Sequence, residues 1–245
     1  MNRRLFLMIA IITAGAVGIV YLLTTKISFN VQSSVQIERN AVEKGSTSLP
    51  KQIEEITSSD DHKNSASAYK EKALKTQNAK EQEAYWLSAV SEWTAALELS
   101  PTDKIVLNEL GYGFFYLMNL SPSADQALEK FHKGVRYFDK VLSIDPNFHW
   151  SLFGLGMLYF DIAERTNSPV EYLNKAIGYF DKGFQYDTDY IWGHMSKAWA
   201  YFKIRDATGD RGYYEKAIPE FERVIEIDPD NQLAKDGIRF STEKL

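Results

Sequence analysis

Leu110-Gly111-Tyr112-Gly113-Phe114 and Leu155-Gly156-Met157-Leu158-Tyr159 are two copies of one phrase, Leu-Gly-x-x-aromatic, set 45 residues apart. Each follows a helix that ends almost identically: Leu97-Glu98-Leu99-Ser100-Pro101 before the first and Leu142-Ser143-Ile144-Asp145-Pro146 before the second. Ile225-Glu226-Ile227-Asp228-Pro229 repeats that ending, and a degenerate copy, Phe184-Gln185-Tyr186-Asp187-Thr188, fills the gap. The marks fall at residues 101, 146, 188 and 229, in steps of 45, 42 and 41. Self-similarity at such a period signals stacked helical pairs, none able to bury its apolar face alone. Strand patterns are nearly absent. The expected fold is an all-α solenoid, an architecture suited to binding other chains.

The second helix of each pair carries its own pattern, placed at a constant distance before each mark. It reads Ala89, Trp93, Ala96, Leu97; then Gly134, Phe138, Val141, Leu142; then Ala176, Phe180, Gly183, Phe184; then Ala217, Phe221, Val224, Ile225. Together the two patterns resemble the tetratricopeptide repeat family over residues 66–245. That family's 34-residue unit has Leu-Gly-x-x-Tyr on its first helix and Ala-x-x-x-Phe on its second, followed by Pro. The departure lies between the helices. The family leaves about nine residues from the first-helix aromatic to the second-helix small residue. Here the intervals are 20, 17 and 16 (Phe114 to Gly134, Tyr159 to Ala176, Tyr201 to Ala217). Every insertion therefore sits inside a pair. The resemblance implies a stack of antiparallel helix pairs and leaves the ligand open.

Close packing explains the small residues. Gly111, Gly156 and Ala198 let a first helix approach its partner, where Gly134 and Ala176 leave room. Glycine inside a helix costs about 1 kcal/mol against alanine, so a recurring one has a packing reason. Ser168-Pro169-Val170-Glu171 offers an N-cap, a first-turn proline and a capping-box glutamate, and Ser123 with Gln126 offers a similar box. Pro219 falls inside the last long second helix and is expected to kink it. A short helix near 66–76 is expected to begin the folded part, with a longer one over 81–99. Residues 232–240 read as a solitary capping helix covering the end of the stack.

The chain has 245 residues, 44% of them hydrophobic and 13% aromatic, with a net charge of −5. Residues 1–25 carry Arg3 and Arg4, residues 26–65 carry five basic and six acidic groups, and the repeats hold the remaining −6. Clustered positive charge, the footprint of a nucleic-acid binder, is missing. Cysteine is absent, which excludes disulfides and cysteine-ligated metals. Leu5 to Thr25 bears no charge, and 21 residues of helix at about 1.5 Å each span a bilayer core. Residues 1–25 are accordingly expected to form a single transmembrane anchor, with the span at 5–23. The two arginines favour a cytoplasmic N-terminus and repeats on the extracytoplasmic (bacterial periplasmic) side. Two other readings compete: a signal peptide cleaved near Ala14-Gly15-Ala16, and a twin-arginine signal around Arg3-Arg4. Residues 26–65 are polar, with Phe29 as their only aromatic, and read as a flexible linker.

Catalytic constellations are missing. His62, His132, His149 and His194 show neither metal-ligand spacing nor an adjacent nucleophile, and no glycine-rich phosphate loop occurs. No enzyme, cofactor or metal is expected. Asp60-Asp61-His62 reads as a solvated run in the linker.

The informative contrast lies within each pair. Residues 147–160 contain no charged side chain, 105–124 only Glu109, and 190–202 only Lys197, whereas the second helix at 125–145 carries eight charges. A solvent-facing helix needs a polar stripe. One face of each first helix serves the repeat core. A second apolar face, at offsets of three, seven and ten residues, reads Ile105, Asn108, Tyr112, Phe115; then Trp150, Phe153, Met157, Phe160; then Trp192, Met195, Trp199, Phe202. In the resembling family this face lines the concave surface where peptides bind. Two readings follow. Either it is an apolar groove for an apolar or amphipathic helix or extended segment of a protein partner, or the inserted residues fold over it and make it core. The charged residues that family members use to grip acidic tails are not matched, Asn108 apart. The functional expectation is a membrane-anchored interaction scaffold, assembly factor or accessory subunit. The alternative is a self-associating structural subunit, a homo-oligomer whose aromatic face closes on a second copy.

Overall fold

The computed structural model describes residues 58–245, which form one compact unit. The expected anchor (1–25) and most of the linker lie outside the described residues. Nine α-helices follow: α1 (Ser59–Lys75), α2 (Ala79–Leu99), α3 (Lys104–Leu120), α4 (Ala124–Ile144), α5 (His149–Ile162), α6 (Pro169–Gly183), α7 (Ile191–Thr208), α8 (Gly212–Ile227) and α9 (Gln232–Lys244). A 3-10 turn, Ala163–Arg165, extends α5. Among the described residues there is no strand, and no helix is long and apolar enough to cross a membrane.

Helices pair as α1–α2, α3–α4, α5–α6 and α7–α8, and α9 packs on α8 as a half-pair. Pairing rests on an aromatic ring set against glycine. A Cβ placed on Gly111 would lie 2.5 Å from the Phe138 ring, and one on Gly156 would lie 2.6 Å from Phe180. Phe138 also meets Gly154 on the next first helix, and Phe221 meets Gly237 on α9. Phe138, Phe180 and Phe221 thus sit on their own first helices, and Trp93, Phe138 and Phe221 meet the helix that follows. Trp93, Phe138, Phe180 and Phe221 are all buried.

The first pair extends further toward the N-terminus than the sequence patterns suggest. Ser58 caps α1 through a capping box with Asp61, so residues 58–65 belong to the fold rather than to the 26–65 linker. Forty-five residues before Gly111 and Phe114 stand Ala66 and Tyr69, which occupy the same positions on α1. Ala66 is fully buried. His62, read as solvated linker, bonds Glu92 on α2 at 2.7 Å. The C-terminal cap shows the same spacing, with Gly237 and Phe240 three apart on α9, which runs on to Lys244.

The insertions lengthen helices. α3 continues six residues past Phe114, and α4 begins ten residues before Gly134. Three-residue loops close the α3–α4, α5–α6 and α7–α8 pairs, the last of them opened by Gly209 at a left-handed φ of 76°. Ser123 caps α4 by accepting from the Gln126 N–H, as its spacing implied. Ser168 does not cap through its side chain: Pro169 supplies the first turn of α6, and the Ser168 carbonyl accepts from Glu171 and Tyr172. α8 runs through Pro219 as one helix.

Two glycines on helices of opposite environment test the packing argument. Gly156→Ala should lower the melting temperature, because the new methyl collides with Phe180 and overpacking costs about 1–3 kcal/mol. Gly178 has open space around it, so Gly178→Ala should stabilise by roughly 0.5–1 kcal/mol through helix propensity alone. Thermal melts showing the same sign for both would refute the assignment.

Candidate functional site

Consecutive first helices touch each other (α3 with α5, α5 with α7) more closely than consecutive second helices do. The stack therefore curves with α3, α5 and α7 on its inner side. Specific bonds tie these helices together. The Tyr112 hydroxyl donates to the Trp150 carbonyl at 2.9 Å, and Ser151 Oγ donates to Asn108 Oδ1 at 2.9 Å in a buried site. Asn119 Nδ2 donates to Asp161 at 2.9 Å. The corresponding step between α5 and α7 is an ion pair, Glu164 with Lys203 at 2.9 Å, with Lys203 lying 4.3 Å above the Phe160 ring. Burial pushes the Asp161 carboxyl up and the phenols of Tyr112 and Tyr190 well above the tyrosine range. Arg165, in the insertion of the second repeat, donates to the carbonyls of Met118, Asn119 and Ser121 and so closes the end of α3.

These contacts decide most of the twelve inner-face positions. Asn108, Phe115, Phe153, Phe160, Met195, Trp199 and Phe202 are buried, and Tyr112 and Met157 are half-buried. Phe153 lies against Gly183, Phe184 and Tyr190. Trp199 meets Phe202 and Phe221 edge-on. An open aromatic groove along the whole face is therefore not what the chain builds; most of these side chains are packed against α6, α8 and the turn before α7. Three of the twelve remain exposed: Ile105, Trp150 and Trp192. All three occupy the second residue of their helix, so they fall in register at one edge of the inner face. Trp150 meets Tyr190 edge-on, with ring centroids 5.6 Å apart.

A polar cluster that the pattern analysis passed over lies between α6, α7 and α8. His194 Nδ1 faces Glu220 Oε2 at 2.7 Å and Nε2 faces the Thr188 carbonyl at 3.0 Å, while the ring stacks on Phe184 at 3.9 Å. Both partners are acceptors. Lys197 bridges Glu220 and Asp181, each at 2.6 Å, with only 12% of its side chain exposed. His194 and Lys197 stand three apart on one helix face, and that spacing was the available signal. The arrangement clamps three helices; it presents no nucleophile and no open coordination position. Among the described residues no group of His, Asp and Glu has the geometry of a metal site.

A tetratricopeptide repeat model matches residues 194–231. That stretch spans α7 and α8, the pair with the smallest insertion, which is where the spacing departs least from the family unit. Two crystal structures of MamA show a similar fold. One is 18% identical with a TM-score of 0.50, covering 67% of this chain and 81% of that one. The other is 17% identical with a TM-score of 0.50, covering 74% and 82%. The fold is of the tetratricopeptide type. No curated protein matches the sequence. The all-helical stack expected from the sequence is thus present.

The cluster makes a pH prediction. Burial alone would raise the Glu220 carboxyl, but hydrogen bonds from His194 and Lys197 outweigh it and hold the carboxyl below its usual range. A depressed carboxylate contributes stability that is present above its unfolded value and lost as pH falls through the folded one. Glu220→Gln should therefore destabilise the protein by about 3 kcal/mol at neutral pH, since it leaves Lys197 short of a counter-charge in a buried site. Its stability should also fall less than that of the parent between about pH 5 and about pH 3. Parallel acid limbs in pH-dependent melts would contradict the assignment.

Proposed function

We propose that this chain is a membrane-anchored interaction scaffold that holds an apolar or amphipathic segment of a protein partner at the first-turn edge of its inner helices. The observation that carries this is the register of Ile105, Trp150 and Trp192, three large apolar side chains left in solvent on a face whose other apolar positions are covered. Aromatic anchors of this kind are the residues on which interfaces concentrate their energy. The support for a scaffold class is the tetratricopeptide-type fold. The anchor rests on the uncharged run from Leu5 to Thr25. A span at 5–23 would place the repeats on the extracytoplasmic side, where an assembly factor or accessory subunit of a membrane complex would work.

The test separates surface from core. The double variant Trp150→Ala, Trp192→Ala should melt close to the parent and fail to retain a partner captured from native membranes, with losses of about 2–4 kcal/mol, or roughly thirtyfold or more in affinity. Trp199→Ala should instead melt well below the parent, because it empties a buried site. A stable double variant that still holds the partner would end this reading.

Location has its own test. The mature protein should keep Met1 or Asn2 and stay with the membrane through carbonate extraction. A mature N-terminus at Val17 would make it a released protein.

A further inference from the structure

Eight large apolar side chains are exposed among the described residues, and six of them share one edge: Leu99, Ile105, Ile144, Trp150, Tyr186 and Trp192. They come as three pairs, Leu99 with Ile105, Ile144 with Trp150 and Tyr186 with Trp192, each flanking the turn between one second helix and the next first helix. All such turns lie at the same end of an antiparallel stack. Each pair repeats at the same offset from its mark, two residues before and four after positions 101, 146 and 188. The six are between 42% and 55% exposed, whereas the fourth pair, Ile227 and Leu233, is half-buried. The Tyr186 hydroxyl donates to Asn147 Oδ1 at 2.7 Å, so this side chain reaches back to the preceding turn and links two rungs.

The turns of the three rungs carry one sign of charge. They contain Asp103, Asp145, Asp187 and Asp189 and no lysine or arginine, although Lys104 opens α3 beside Ile105. Asp103 pairs with Lys63, Asp145 with Lys104 and Asp189 with Arg223. Asp187 forms no ion pair among the described residues, and Glu98 beside Leu99 is exposed and likewise unpaired there. The result is an apolar ladder with an acidic surround.

We infer that this edge docks a basic amphipathic segment of the partner, its apolar residues laid across the three rungs and its lysines or arginines beside the turn carboxylates. This rests on the scaffold reading above and names the partner's chemistry. The charge argues against the two other occupants. A second copy would bring acidic turns against acidic turns, and like charges juxtaposed at an interface disfavour it. An anionic bilayer would be repelled in the same way. An amphipathic helix with basic flanks meets both demands at once.

The experiment uses the full chain and two synthetic amphipathic helices, one of leucine and lysine and one of leucine and glutamate, followed by tryptophan fluorescence. Trp86, Trp93 and Trp199 are buried, so an emission shift on binding would come from Trp150 and Trp192. The lysine peptide should bind and shift emission to the blue, and its affinity should fall about tenfold or more as salt rises from about 0.05 to about 0.5 M. The glutamate peptide should not bind. Trp150→Ser with Trp192→Ser should remove the binding, and Glu98→Gln with Asp187→Asn should weaken it and flatten its salt dependence. Equal binding of both peptides, or binding of neither, overturns the inference. So does a dimer in sedimentation that dissociates when Trp150 and Trp192 are replaced, or fluorescence-detected insertion of these residues into anionic vesicles. If the tryptophan variants lose the native partner while the lysine peptide never binds, the scaffold reading stands and this one falls.

Discussion

An aromatic ring pressed on a glycine is the contact on which the rest of this molecule depends. Phe138 fits only because Gly111 and Gly154 carry no Cβ, and Phe180 only because Gly156 carries none. At Phe138 the ring joins a helix pair internally and reaches the next pair as well, so one side chain sets both the intra-repeat and the inter-repeat distance. A stack built this way cannot loosen one interface without disturbing its neighbour, as expected where stability is a sum of nearest-neighbour terms. It also draws consecutive first helices together, and that approach decides the fate of the inner face.

The inner face closes because its side chains pack on neighbouring helices: Phe153 against Gly183 and Phe184 at the end of α6, and Trp199 and Phe202 against Phe221 of α8. Phe115, Phe153, Phe160, Met195, Trp199 and Phe202 fill the space in which a peptide would otherwise lie. Hydrogen bonds between first helices, Tyr112 to Trp150 and Ser151 to Asn108, then fix the closure with direction as well as volume. What stays open is the first turn, where Ile105, Trp150 and Trp192 remain exposed. Recognition moves from the middle of the face to its edge.

How far the sequence could be read follows from which contacts are local. Gly111, Gly156, Phe138 and Phe180 were legible because each recurs at a fixed distance from a Pro or Thr mark, and a repeat interface uses the same residue every time. α1 was not, because Ser65 stands where α3 and α5 have Leu110 and Leu155, and the capping pair Ser58 and Asp61 lies in a polar run that resembles linker. Counting back one period from Gly111 to Ala66 and Tyr69 would have found it. The twelve inner positions share one periodic face, but periodicity gives a face and not its neighbour. Whether Phe153 meets solvent or Gly183 depends on a contact thirty residues away in sequence. The His194, Lys197, Glu220 and Asp181 cluster was hidden for the same reason, since its charges come from three helices.

The exposed residues carry a different kind of information from the buried ones. A buried aromatic at a repeat position is explained by packing, and its recurrence adds nothing about function. An exposed one is not: Leu, Ile, Trp or Tyr at the rungs gains no burial within the chain, and the helix cap next to it would form as well with a polar neighbour. Local turn geometry does explain the aspartates Asp103, Asp145 and Asp187, because each accepts from a backbone N–H two or three residues on. It does not explain why the same turns lack any lysine or arginine, or why apolar side chains flank three of them in register. Selection for folding accounts for the carboxylates that accept from the backbone, and the remaining pattern, apolar rungs in register beside turns without a basic residue, is what a surface shaped by a second molecule would leave.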